Sequence, residues 1–267
     1  MSILNTLRSE FSRQPTKHAF KQEWIHTLKN SMPLYARLPP ALKETLHQKI
    51  THFVGTTSFE GRDGLELSDE IILSVSAQAC LLVLNHEDAP YPDLHTVVLF
   101  PTAFSSTIEA IEDDGILHET TVQCEGESWE DGTVLLAWDS VNGGASNLSD
   151  GENVTLHEFA HQLDALDGDT DGVPILSCVD AFHTWATVLG EHCCDFLEKV
   201  MQGEVTVLDP YAATSPGEFF AVATETFFEK PHQLKAKRPS LYAELQGFYK
   251  LDPAAWFEGY IDSPENV

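Results

Sequence analysis

The pattern of apolar residues predicts an α+β fold, mostly helical, with a small mixed β-sheet. Two observations carry that prediction. Apolar side chains recur at helical spacing in one segment after another. By contrast, HTVVLFP (95–101) and TVLLAWD (133–139) are short runs dense in β-branched and apolar residues and read as buried strands. A chain of 267 residues, 42% hydrophobic and 10% aromatic, can bury a full core and has none of the bias of a disordered chain.

Taken in order, residues 1–22 are polar and basic compared with the rest and read as a short helix or loose arm. Trp24, Ile25, Leu28 and Met32 recur at helical spacing. After Pro39 and Pro40, so do Leu42, Leu46, Ile50, Phe53 and Val54, which predicts a helical hairpin. Residues 57–70, punctuated by Gly and Asp, read as a loop that ends at Ser68, the N-cap of a helix through SVSAQACLLVL. Residues 85–93, with Pro90 and Pro92, read as a turn, and 105–132 as one or two exposed strands. The Gly/Asn-rich 141–153 reads as a loop. Residues 167–174 read as a plain Asx-rich turn, because the register of a calcium loop and its closing glutamate are missing. Helices follow over 179–201, over 216–229 with Pro at its start, and over 239–259 with an aromatic tail reaching Tyr260.

Charge excludes several classes of function. Fifteen basic against 42 acidic residues give a formal net charge of −27, which repels nucleic acid and anionic membranes and attracts cationic or amine-bearing ligands. The five cysteines (Cys80, Cys124, Cys178, Cys193, Cys194) show no C-x-x-C spacing and no disulfide framework, as in a reducing compartment. With neither a signal-peptide pattern nor an apolar run long enough to span a bilayer, the expectation is a cytoplasmic, soluble protein.

Chemistry concentrates in NVTLHEFAHQLD (153–164). His157 and His161 are four apart, so a helix sets both imidazoles on one face, and Glu158 between them completes an H-E-x-x-H pattern. Neutral imidazole suits zinc, and zinc lowers the pKa of water until a neighbouring carboxylate can deprotonate it. Val154, Leu156, Phe159, Ala160 and Leu163 make this helix apolar. A buried His–Glu–His cluster needs a partner to offset its desolvation, and a metal is that partner. The pattern predicts a zincin-like domain over 61–267, with an N-terminal helical segment (1–60) packed on it and TVLLAWD offering its edge to an extended peptide. A third ligand must come from elsewhere. Glu218, Glu225 and Glu229 on the 216–229 helix are candidates, as is His183. Glu218, among Phe219, Phe220 and Ala221, is favoured, which makes the arrangement gluzincin-type. Glu225, two turns on, is expected to accept from a ligand histidine, and Glu229 to lie at the solvent end. Asp164 is expected to orient a ligand imidazole.

These residues also carry a resemblance. LPPAL (38–42), FEG (59–61), SAQACLLVL (76–84), YPDLHTVVLFP (91–101), GESW (126–129), VLLAWDSV (134–141), NVTLHEFAHQLD, DGVP (171–174) and DPYAATSPGEFFAVATETFF (209–228) resemble blocks of the MtfA (Mlc titration factor A) family of bacterial zinc-dependent peptidases. The resemblance implies one zinc per chain held by His157, His161 and Glu218, with Glu158 as general base. It also implies kinship of the catalytic domain with anthrax toxin lethal factor, where a tyrosine seven residues before the glutamate ligand lies beside the zinc. Tyr211 has that spacing from Glu218 and is the candidate oxyanion donor. The implied activity is peptide hydrolysis, and the charge points to aminopeptidase action. A second implied role is regulation of sugar uptake by binding an Mlc-type repressor. The alternative to an enzyme is a regulatory titration protein whose metal site is accessory.

Overall fold

A computed structural model describes residues 20–86, 91–111, 117–129 and 131–257. Most of the expected N-terminal arm (1–19) and Tyr260 lie outside the described residues, as does part of the 85–93 turn. Three helices open the described chain: α1 (Trp24–Ser31), the short α2 (Pro33–Arg37) and α3 (Pro40–Thr56). Two of them start on proline, whose fixed φ and missing N–H suit the first helical position. The two expected helices are thus present with α2 between them, but each packs chiefly on the helix that follows them (Asp69–Leu82) rather than on the other as a hairpin.

Next come β1 (Ser58–Gly61), α4 (Asp69–Leu82), β2 (Thr96–Phe100), β3 (Phe104–Ile111), β4 (Leu117–Cys124), β5 (Gly126–Trp129) and β6 (Thr133–Ala137). Helix α4 begins where expected: Ser68 Oγ accepts the Ile71 N–H at 3.3 Å, and Asp69 and Glu70 complement the positive end of the helix. The main sheet has strand order β1-β2-β6-β5, with β1, β2 and β6 parallel and β5 antiparallel at the outer edge. Strands β3 and β4 form a separate antiparallel hairpin. Phe104 and Cys124 at its base pack on Val98, Leu135 and Phe100, covering the sheet face away from the main core.

Three expectations are corrected here. The 57–70 segment is not all loop, because Ser58–Gly61 adds a parallel strand beside β2. Residues 105–132 supply three strands. TVLLAWD is an interior strand, paired on both sides, so the edge belongs to β5. Its alternation is weak because an interior strand buries both faces, and the pattern cannot say which of two neighbouring strands lies outside.

The chain continues through α5 (Trp138–Ser146), α6 (Val154–Asp164), a 3₁₀ turn (Ala165–Asp167), α7 (Val179–Met201), a second 3₁₀ turn (Pro210–Ala213) and α8 (Pro216–Glu229). It ends in α9 (Pro231–Lys237), α10 (Pro239–Tyr249) and a last 3₁₀ turn (Pro253–Phe257). Helices α7 and α8 have the bounds their periodicity predicts. Helix α5 corrects the first part of the 141–153 loop, and Gly144 there is a packing residue rather than a turn signal. A Cβ at Gly144 would come within 2.9 Å of the Asn153 Cα, so α5 can lie against the start of α6 only because that carbon is missing.

One apolar cluster runs from Trp24 to Phe257. Helices α4 and α8 are buried on nearly every side. Helix α6 lies against α8, α4 and the β5–β6 edge. Its rear face is pinned by Phe159, whose ring meets Tyr91 at 4.9 Å and Phe53 at 5.8 Å between centroids. Among the described residues no helix is long and apolar enough to cross a membrane.

Candidate metal centre

Helix α6 starts at Asn153, whose side-chain oxygen accepts the Leu156 N–H at 3.0 Å. The same amide donates to Gln78 Oε1 at 2.8 Å and to Glu229 Oε1 at 2.9 Å, and the Asn153 backbone N–H is bonded to Glu225 Oε2. All four side chains are buried, so they satisfy one another rather than water. Glu229 therefore does not lie at a solvent end, and that expectation is corrected. The C-terminal half of α8 is buried throughout, and its last turn carries Glu229 under the α6 cap. Burial holds the Glu229 carboxyl well above the ordinary carboxylate range, and the Asn153 hydrogen bond only partly opposes it.

Glu225 turns its other oxygen, Oε1, to His157 Nδ1 at 2.8 Å. A carboxylate can only accept, so Nδ1 carries a proton and Nε2 is the atom that faces the site. One turn on, His161 Nε2 lies 3.2 Å from His157 Nε2. The expected juxtaposition of Glu225 and a histidine is present, with Asn153 holding the far side of the carboxylate.

Glu218 arrives from α8. Ser215 caps that helix by accepting the Glu218 N–H at 3.1 Å. In S-x-x-E capping boxes the glutamate reaches back to the cap. Here it turns outward: Glu218 Oε2 is 2.9 Å from His157 Nε2 and 3.5 Å from His161 Nε2. Despite these distances Oε2 is buried without a hydrogen bond among the described residues. The three ligand atoms therefore form a triangle with edges of 2.9, 3.2 and 3.5 Å. A tetrahedral ion about 2.0–2.1 Å from each ligand atom separates them by roughly 3.3 Å. Donor types, spacing and an orphaned carboxylate oxygen all fit a zinc-like cation. His157, His161 and Glu218 form the one such three-residue cluster among the described residues.

The electrostatics agree. Burial disfavours charge on His157, but the Glu218 and Glu225 carboxylates outweigh it and raise the imidazole pKa. Burial likewise opposes a charged Glu218, and the two imidazoles overcome it and depress its pKa. This carboxylate stays ionised and the cluster attracts positive charge. Glu158, beside the ligand face and 7% exposed, behaves differently. Burial raises its pKa to about 7, with His157 and His161 pulling the other way. A carboxylate poised there exchanges protons readily at neutral pH.

Tyr211 sits on the 3₁₀ turn before α8, its N–H accepted by Asp209 Oδ1 at 2.8 Å. Its ring is 53% exposed, tilted over the site with its centroid 5.9 Å from that of His157. Burial and the Glu218 and Glu158 charges keep its hydroxyl protonated. The structure does not bring the other candidates to the cluster. His183 is exposed on α7. Asp164 is buried and accepts the Gly172 N–H at 2.9 Å, which ties the end of α6 to the 167–174 loop; its other oxygen has no partner among the described residues. It makes no hydrogen bond to either imidazole among the described residues.

Sequence reasoning missed the residues that hold this arrangement. Asn153 and Gln78 are two, and a cap residue directly before the motif was the available signal for Asn153. Gln162 is a third: its Nε2 donates to Ser128 Oγ at 2.7 Å and to the Trp129 carbonyl at 3.3 Å, clasping α6 to edge strand β5.

A helix bearing H-E-x-x-H, a glutamate from a later helix and an outer antiparallel strand beside them define a metallopeptidase type of site. The family model for glucose-regulated metallo-peptidase M90 matches residues 7–250. An uncharacterized protein of Synechocystis sp. is 38% identical over 231 residues, covering 86% of this chain and 84% of its own. Mlc titration factor A of Klebsiella pneumoniae is 31% identical over 226 residues, covering 84% of each chain. Mlc titration factor A of Escherichia coli is 29% identical over 243 residues, covering 90% of each. The chain belongs to the glucose-regulated metallo-peptidase M90 family.

Proposed function

We propose that this chain is a zinc-dependent peptidase whose single zinc is held by His157, His161 and Glu218. The observation that carries the reading is the convergence of three ligand atoms within 3.5 Å of one another, with Glu218 Oε2 lacking a hydrogen bond among the described residues. Zinc in such a site supplies a Lewis acid that acidifies water and polarises a carbonyl. The protein groups do the rest. Glu158 accepts a proton from the attacking water and returns it to the leaving amine. The Tyr211 hydroxyl donates a hydrogen bond to the scissile carbonyl oxygen as it gains charge. Glu225 fixes the His157 tautomer and ring plane.

An extended peptide would pair its backbone with β5, the outer strand beside α6. The acidic surface favours substrates with a free amino terminus, which fits aminopeptidase action. Five free cysteines fit a cytoplasmic setting. A second reading, binding of an Mlc-type repressor, rests on the name Mlc titration factor A carried by relatives. One variant separates catalysis from binding. Glu158→Gln keeps metal and any repressor binding and loses peptide hydrolysis by about 100-fold or more. Undiminished hydrolysis in that variant would refute Glu158 as the base.

A further inference from the structure

We infer that Gly126 is a positioning residue for Glu158, and that its missing side chain is what lets the general base lie where the reaction needs it. The inference rests on the peptidase reading above. Gly126 opens edge strand β5, opposite Leu136 on β6. A Cβ there would stand 2.5 Å from Glu158 Oε1, 2.6 Å from Glu158 Cγ and 2.6 Å from Val154 Cγ2. No carbon tolerates such distances, so something must move, and the surroundings decide what.

The strand cannot retreat. On one side it is paired with β6 from Gly126 to Trp129. From α6, Gln162 also grips the Ser128 hydroxyl and the Trp129 carbonyl. Val154, in the first turn of α6, must also give way and can do so only by leaving its dominant χ1 rotamer, which costs stability but touches no ligand. The Glu158 carboxylate is the free end of a flexible chain and is the group that yields most readily. A methyl at position 126 therefore displaces the base while leaving the ligands His157, His161 and Glu218 in place.

This is a role through another residue, and it separates from a general packing role by experiment. Gly126→Ala, assayed on a peptide that the unmodified protein cleaves, should lose about 100-fold or more in kcat, the scale of a general base, with KM within a few-fold and one metal retained per chain. In a Glu158→Gln background the same change should cost nothing further, because the two changes remove one function. Thermal unfolding supplies a second cycle that needs no activity. Gly126→Ala should lower the melting temperature, and at least half of that loss should vanish in a Glu158→Ala background, where no carboxylate meets the methyl.

A Gly126→Ala protein with kcat within about three-fold of the unmodified enzyme, a loss too small to count as removal of a general base, would overturn the inference. So would losses that multiply in the Glu158→Gln background, or a melting penalty unchanged by Glu158→Ala. If the unmodified protein cleaves no peptide, the peptidase reading fails, and the melting cycle still decides whether Gly126 makes room for Glu158.

Discussion

Single residues set both the chemistry and its tolerance of pH. Away from the metal cluster, His192 is a clear case. Arg238 NH1 donates to its Nδ1 at 3.0 Å, so Nδ1 is bare and the Nε2 proton goes to Ser240 Oγ at 2.7 Å. Burial and then the Arg238 charge lower its pKa below the ordinary 6.5. The sign follows: below about pH 6.5 the unfolded chain takes up this proton and the folded chain resists it. Stability is thus full above that value and is lost as pH falls from it towards the lower folded pKa. Urea midpoints at pH 7.5 and 5.5 should fall less in His192→Gln than in the unmodified protein. An equal fall would remove His192 from the account. At this scale much of the centre was legible. His157, Glu158 and His161 announce themselves by spacing, and Glu218 by a carboxylate among aromatics. Gly126 did not, because its contribution is the absence of an atom, and only the position of Glu158 gives that absence meaning. Asp164 was misjudged for a related reason: three residues beyond His161 fixes its helix turn but not which backbone its carboxylate meets.

Elements explain why the residues meet. Helix α6 is held by its cap, by Phe159 behind it and by Gln162 against β5, so its ligand face has little freedom. Helix α8 is started by Ser215, and the Glu218 N–H bonded to that hydroxyl belongs to the residue that points into the cluster. Ser215→Ala should cost about 1 kcal/mol of stability, or about 2–4 °C in melting temperature, by loss of the cap. Thermal melting checks it, and an unchanged melting temperature would deny that the hydroxyl caps the helix. Helices with a strong period, such as α4, α7 and α8, were readable to within a residue or two. Strand placement was not. The 133–139 run revealed a strand but not its neighbours, and the outer position went to β5, a four-residue strand beginning with glycine. Gly144 of α5 misled for the opposite reason, since it serves close helix packing and not a turn.

Across the whole molecule the fold gathers acidic groups around one point that favours a cation. Glu218, Glu225 and Glu158 come from two helices brought together by a core that extends from Trp24 to Phe257. With a net charge of −27, the surface adds attraction for positive ligands at longer range. A buried cluster of this kind is costly without a counter-charge, so the metal belongs to the stability of the site as well as to its chemistry. The most direct test is elemental analysis of the purified protein, beside a His161→Ala variant. The account predicts one zinc per chain in the first and its loss in the second. A native protein free of zinc, or a His161→Ala protein that keeps it, would contradict the account.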